Sequence, residues 1–181
     1  MATAPRLAIN ATELLRVPGT VRTMVTEFPL ADVDVADGRV TGAVDIDLTL
    51  TSTLDDIEVE GTVRVEWADA CRRCLRPVSG PLVVAVDERY ATPSDDPARP
   101  VNAAAFPIEH GQLDVSAMVR EEILLAIPDA PICRDDCPGL CPTCGADLDD
   151  GPCGCDTTVR DERWTALDQL RDEIRNVGGD R

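Results

Sequence analysis

The sequence predicts an α+β fold: an antiparallel β-sheet packed by one helix, with a Cys-rich zinc-knuckle segment and a C-terminal helix appended. Three observations carry this expectation. Two long stretches alternate apolar and polar residues with period two. One stretch repeats apolar residues at helical spacing between a capping residue and a proline. Eight cysteines fall in closely spaced groups. The organisation expected is a core domain over residues 1–130, containing one Cys-x-x-Cys connection between strands, and a zinc-binding segment with the last helix over residues 131–181.

The elements follow in order. Residues 1–35 read as an entry segment, in which "NATELLRVPG" offers a short helical turn capped by Thr12 and stopped at Pro18-Gly19. In "RVTGAVDIDLTLT" the apolar residues Val40, Val44, Ile46, Leu48 and Leu50 alternate with Thr41, Asp45, Asp47, Thr49 and Thr51, so one face is buried and the other wet. After a short polar join the pattern resumes with Ile57, Val59, Val63, Val65 and Trp67, which makes the two runs antiparallel neighbours. "PLVVAVDERY" adds a further strand and places Cys71 and Cys74 in the connection before it. Residues 91–112, rich in Pro and Ala, read as a loop or partly disordered linker whose His110 is an ordinary surface residue. "LDVSAMVREEILLAIP" reads as a helix capped by Asp114 and ended by Pro128. Its core stripe comprises Val115, Met118, Val119, Ile123, Ala126 and Ile127. A second helix is expected from about Asp161, with Trp164, Leu167, Leu170, Ile174 and Val177 on one face.

The charge is lopsided: 34 acids against 17 bases, a formal net of −17, and every base is Arg. The absence of Lys fits a GC-rich coding sequence. The acidity argues against extended, unspecific nucleic-acid binding, which requires neutralising many phosphates. It is compatible with plain solubility or with a basic partner. No run of about 18 apolar residues spans a membrane, and the start lacks a cationic segment followed by an apolar block, so the expected location is cytoplasmic. In that compartment thiols stay reduced, which favours metal over disulfides.

The cysteines run Cys71-x2-Cys74, then Cys133-x3-Cys137-x3-Cys141-x2-Cys144-x8-Cys153-x-Cys155. "CPTCG" is a metal-knuckle string: Pro stiffens the turn, and Gly lets backbone amides approach and stabilise the thiolate. Four thiolates around one zinc ion make a closed, structural tetrahedral site, and eight make two. Loop closure favours Cys141, Cys144, Cys153 and Cys155 as a local site. Cys71, Cys74, Cys133 and Cys137 would then form a second, stapling the strand connection to the segment after the helix. Cys133 or Cys137 joining the local site is an alternative division. Disulfides, a thiol switch and an iron–sulfur cluster are the alternative chemistries. Two such zinc sites would add about −4 to the formal charge, and Arg72, Arg73, Arg76 and Arg134 are placed in sequence to offset it.

Nothing in the sequence marks a catalytic centre. There is one histidine, no P-loop, no G-x-G-x-x-G and no carboxylate pair that stands out from an acidic surface, so no enzyme activity is expected. "CRRCLRP" gathers Arg72, Arg73 and Arg76 with no acid between them. Neutralising the thiolates accounts for them. The functional alternative is a small RNA-binding tip on phosphates.

Taken together, "CRRCLRPV" after an alternating strand, "LDVSAMVREEILLAIPDAPIC" and "CPGLCPTCGADL…CGC" resemble the YceD-like family, associated with accumulation of large-subunit ribosomal RNA. "LLRVPGTVR" near the start fits the same family. The resemblance implies a non-catalytic bacterial cytoplasmic factor for ribosome biogenesis. It would support large-subunit rRNA accumulation and assembly by touching a large-subunit precursor through rRNA or a basic ribosomal protein. The family includes members without the C-terminal cysteine cluster, which implies that the cluster adds stability or docking. This chain departs from the family at Asp161-Glu162-Arg163, where Asp-Pro-Arg is frequent, and at Asp147 and Asp149, where Asn is common. The rival readings are a zinc-thiol redox-sensing regulator, which would shed zinc under mild peroxide, and a zinc-ribbon module of the transcription machinery, which would bind RNA polymerase.

Overall fold

The computed structural model describes residues 7–93 and 105–156, with 162–164, Leu167 and Leu170. The chain divides into two compact units, Met1–Cys71 with Arg76–Cys133, and Arg72–Leu75 with Arg134–Arg181.

The first unit holds two sheets and one long helix. Strand β1 (Ala8–Asn10) pairs antiparallel with β7 (Gln112–Asp114), with Ile9 opposite Leu113. The larger sheet has the order β2-β3-β4-β5-β6, from β2 (Val21–Pro29), β3 (Val40–Ser52), β4 (Asp56–Ala70), β5 (Pro77–Ala91) and β6 (Phe106–Pro107). The expected antiparallel sheet is therefore present and larger than the alternating runs alone indicate. It also carries one parallel pair, β5 with β6.

The alternation in β3 and β4 does what its period requires. Val44, Ile46, Leu48 and Leu50 share one face with Ile57, Val59, Val63 and Val65, and all are buried. The register sets Ile46 opposite Val63 and Leu50 opposite Val59. Gly61 faces Leu48 across the same pair, and a Cβ there would collide with the backbone carbonyl of Asp47. Its φ of 150° is one that a side chain rarely tolerates.

Helix α2 (Val115–Ala126) packs on β4 and β5. The Asp114 carboxylate accepts the Ser116 N–H at 2.9 Å, the cap that the sequence predicts. Val115, Met118, Val119, Ile123 and Ile127 are buried in the common core. Tyr90 of β5 lies fully inside, stacks on Phe106 at 5.3 Å and donates its hydroxyl to the Asp114 carbonyl at 3.0 Å.

Three local expectations are corrected. The short helix α1 (Ala11–Leu14) is capped by Asn10, whose side chain accepts the Glu13 N–H at 3.1 Å, and not by Thr12. The entry segment contains β2, nine residues paired along β3 from Val21–Thr51 to Pro29–Ala43. The stretch 91–112 is not all loop, since β6 and the start of β7 fall within it; residues 94–104 lie outside the described part. His110 is exposed, as expected. Of the C-terminal helix, a 3-10 turn at Glu162–Trp164 and helical Leu167 and Leu170 are described, and the rest lies outside the described residues.

Candidate metal centre

The Cys71–Cys74 pair occupies the β4–β5 turn. The strands remain paired to Ala70–Pro77, and the Cys71 N–H then donates to the Arg76 carbonyl at 2.8 Å. The Cys141–Cys144 pair repeats this geometry outside any sheet. Its Cys141 N–H donates to the Ala146 carbonyl at 2.8 Å, the same five-residue step, and the Gly145 N–H returns to the Cys141 carbonyl at 2.9 Å. In both turns the residue after the second cysteine is left-handed: Leu75 at φ 61° and Gly145 at φ 73°. "CRRCL" and "CPTCG" are therefore the same knuckle. The first hides its conformational signal because Leu stands where Gly is the unstrained choice.

Leu140 donates its N–H to the Arg73 carbonyl at 3.0 Å, and the Arg73 guanidinium donates to the carbonyls of Asp135 at 3.1 Å and Cys137 at 3.0 Å. One arginine thus ties the 134–140 segment to the Arg72–Leu75 turn. Arg134 pairs with Asp136 and makes a two-pronged contact with Asp149. Asp147 accepts the Asp149 N–H at 3.0 Å, a turn contact that an Asn would also make.

The sulfurs gather into two sets, Cys71, Cys74, Cys133, Cys137 and Cys141, Cys144, Cys153, Cys155, each with all four thiol atoms within 4.8 Å of one another. This is the division that loop closure favours. Cys71, Cys74, Cys137 and Cys141 are buried. Four sulfurs at zinc–sulfur bonding distance in a tetrahedron stand about 3.8 Å apart, so each set fits one zinc ion with little adjustment.

Electrostatics within the second set point the same way. Amide donation from Cys144 and Thr143, helped by the Cys153 thiol, lowers the Cys141 thiol to about 6. The neighbouring sulfurs of Cys144 and Cys153 push Cys155 up to about 12. Four adjacent thiols do not all ionise without help, because each new thiolate repels the last. A divalent cation removes that conflict. In such a closed site zinc would supply a cross-link and no open coordination position.

Fold and site together define a class: an α+β protein carrying two four-cysteine sets built on paired knuckles. Residues 59–171 match the family model described as large ribosomal RNA subunit accumulation protein YceD, and the chain belongs to that family. It is similar to an uncharacterized protein of Mycobacterium tuberculosis (strain H37Rv), 33% identical over 141 residues, covering 76% of this chain and 67% of the relative. A Mycobacterium bovis protein matches to the same extent. The large ribosomal RNA subunit accumulation protein YCED homolog 1, chloroplastic, of Arabidopsis thaliana is 33% identical over 74 residues, 41% of this chain and 23% of the relative. No solved structure matches. Among the described residues no helix is long and apolar enough to cross a membrane.

Proposed function

We propose that this protein is a non-catalytic cytoplasmic factor that supports large-subunit ribosomal RNA accumulation by binding the maturing large subunit, with zinc in both cysteine sets as a structural element. The family match over residues 59–171 carries this reading. Sites in which four sulfurs complete the tetrahedron suit scaffolding rather than hydrolysis, which needs an open metal position. In this proposal the turn that carries Arg72, Arg73 and Arg76 is the RNA-facing tip, and Arg73 also holds the Asp135 and Cys137 carbonyls.

The test is sucrose-gradient fractionation of lysate from the native host, with the protein followed by immunoblot. The expected result is co-migration with large-subunit precursors that is lost on ribonuclease treatment. A protein that stays at the top of the gradient after mild cross-linking refutes stable particle binding.

A further inference from the structure

The two edges of the large sheet are treated differently. One ends in β6, two residues long and including Pro107, a common way of closing an edge. The other is β2, nine residues, which among the described residues pairs on one side alone, with β3. Ser52 donates its N–H to the Thr20 carbonyl at 2.9 Å. By the alternation of an antiparallel ladder, Arg22, Met24 and Thr26 then face β3, while Val21, Thr23, Val25 and Glu27 turn their backbone N–H and C=O to the open side. Val21 is 59% and Val25 76% exposed. Arg22, Glu27 and the terminal Pro29 are the blunting features of this strand, and from Val21 to Val25 the open side carries Val21, Thr23 and Val25, with no charge and no proline.

The sheet face beside this edge is acidic. Cross-strand rows run Thr23–Thr49–Glu60–Asp87 and Val25–Asp47–Thr62–Ala85, then Glu27–Asp45–Arg64–Val83. The arginines of this face are already paired, Arg89 with Glu58 at 2.8 Å and Arg64 with Glu66 at 3.7 Å. Among the described residues Glu27, Asp45, Asp47, Glu60 and Asp87 have no ion-pair partner. A depression of about 410 Å³ lies against β2, lined by Val25, Glu27, Asp45, Asp47, Thr62 and Arg64 among others. It offers an apolar wall for an aliphatic stem and carboxylates for a cationic head. On the opposite face of β2, Met24 and Phe28 pack partly exposed against the core.

We propose that β2 is a docking edge for an extended, basic segment of a partner protein, which adds to the sheet as a sixth strand. Backbone pairing along β2 supplies affinity. Side chains of the added strand alternate: Lys or Arg over the acidic face, apolar residues over Met24 and Phe28. A second copy of this chain is the poorer occupant, because pairing β2 with β2 sets two acidic faces side by side on chains of net charge −17. The inference deepens the assembly-factor reading by naming the chemistry of the partner. It is argued from the edge alone, so peptide binding and particle co-migration succeed or fail separately.

The probe is a fluorescein-labelled peptide of alternating Lys and Val, as long as β2, titrated by anisotropy against the zinc-loaded full chain. The control is the same composition with lysines and valines in two blocks. The alternating peptide is expected to bind more tightly than the control. Val25→Pro removes an N–H that faces the open side and spares the β2–β3 ladder; it is expected to weaken binding about tenfold or more. Val25→Lys, which keeps the backbone donor and adds repulsion, serves if the proline variant does not fold. Glu27→Gln with Asp47→Asn is expected to weaken binding and flatten its salt dependence. The proposal is overturned by no binding of the alternating peptide, by equal binding of the blocked control, or by unchanged affinity in the folded edge variants. A concentration-dependent dimer that Val25→Lys abolishes also overturns it, in favour of self-pairing.

Discussion

Single residues carry more of this site than their types suggest. Leu75 sits in a left-handed conformation that costs a non-glycine residue about 1–2 kcal/mol, and at 64% exposure it recovers little by burial. Leu75→Gly is therefore expected to raise stability by about 1 kcal/mol, read as an upward shift in melting temperature with the metal content unchanged. A fall in stability would mean that the leucine side chain makes a contact that the strain argument omits. Tyr90 is a residue of a different kind. Burial, reinforced by the charge of Asp114, pushes its phenol well above the ordinary range. The fold thus holds the neutral form. Its stabilisation is complete below the unfolded value of about 10 and is lost as pH rises beyond it. Tyr90→Phe is expected to cost about 1 kcal/mol at neutral pH through the lost bond to the Asp114 carbonyl. It should also flatten the alkaline limb of a stability-against-pH curve, and an unchanged limb would assign that limb to other groups.

At the scale of elements, legibility follows burial. Strands β3 and β4 read clearly because one face of each lies in the common core, so a residue's parity decides its polarity. Strand β2 does not read so, because as an edge it has only Met24 and Phe28 against the core. Its apolar residues Val21, Met24, Val25 and Phe28 even follow the i, i+3, i+4, i+7 spacing of a helix. Pairing along β3 overrides that spacing, as tertiary context commonly does. The α2 cap was legible because Asp stands directly before the apolar stripe, whereas in α1 two capping types compete and Asn10 wins over Thr12. What no periodicity shows is the close approach at Gly61. A methyl group there meets the Asp47 carbonyl in the middle of the β3–β4 pair. Gly61→Ala is expected to cost about 2–3 kcal/mol, measured by urea unfolding, while Gly80→Ala, where a Cβ meets open space, should change stability far less. Equal effects at the two positions would show that β4 moves aside at little cost.

At the scale of the whole molecule the described interiors of the two units differ in kind, and metal removal is expected to tell them apart. The first has a continuous hydrocarbon core running from Leu7 to Ile127. In the second, the buried apolar side chains among the described residues are those of Cys74, Cys137 and Cys141. With zinc in the cysteine sets, as proposed, the described part of this unit would draw its folding free energy largely from metal binding. Its cysteine pairs were legible from spacing alone, but the tie from Arg73 to the Asp135 and Cys137 carbonyls was not, since a long side chain reaching carbonyls 62 and 64 residues away leaves no local pattern. Chelation at neutral pH is expected to abolish hydrogen-exchange protection at Leu140, Cys141, Gly145 and Leu148, whose amides donate within this unit. Protection along β3–β5 should persist. Lowering the pH should produce the same selective loss, because protons compete with the metal for thiolate, and restoring zinc at neutral pH should reverse it. If the amides of residues 140–148 stay protected in metal-free protein, the cysteine sets are not what holds the second unit together. If the β3–β5 amides exchange along with them, the hydrocarbon core is not independent of the metal.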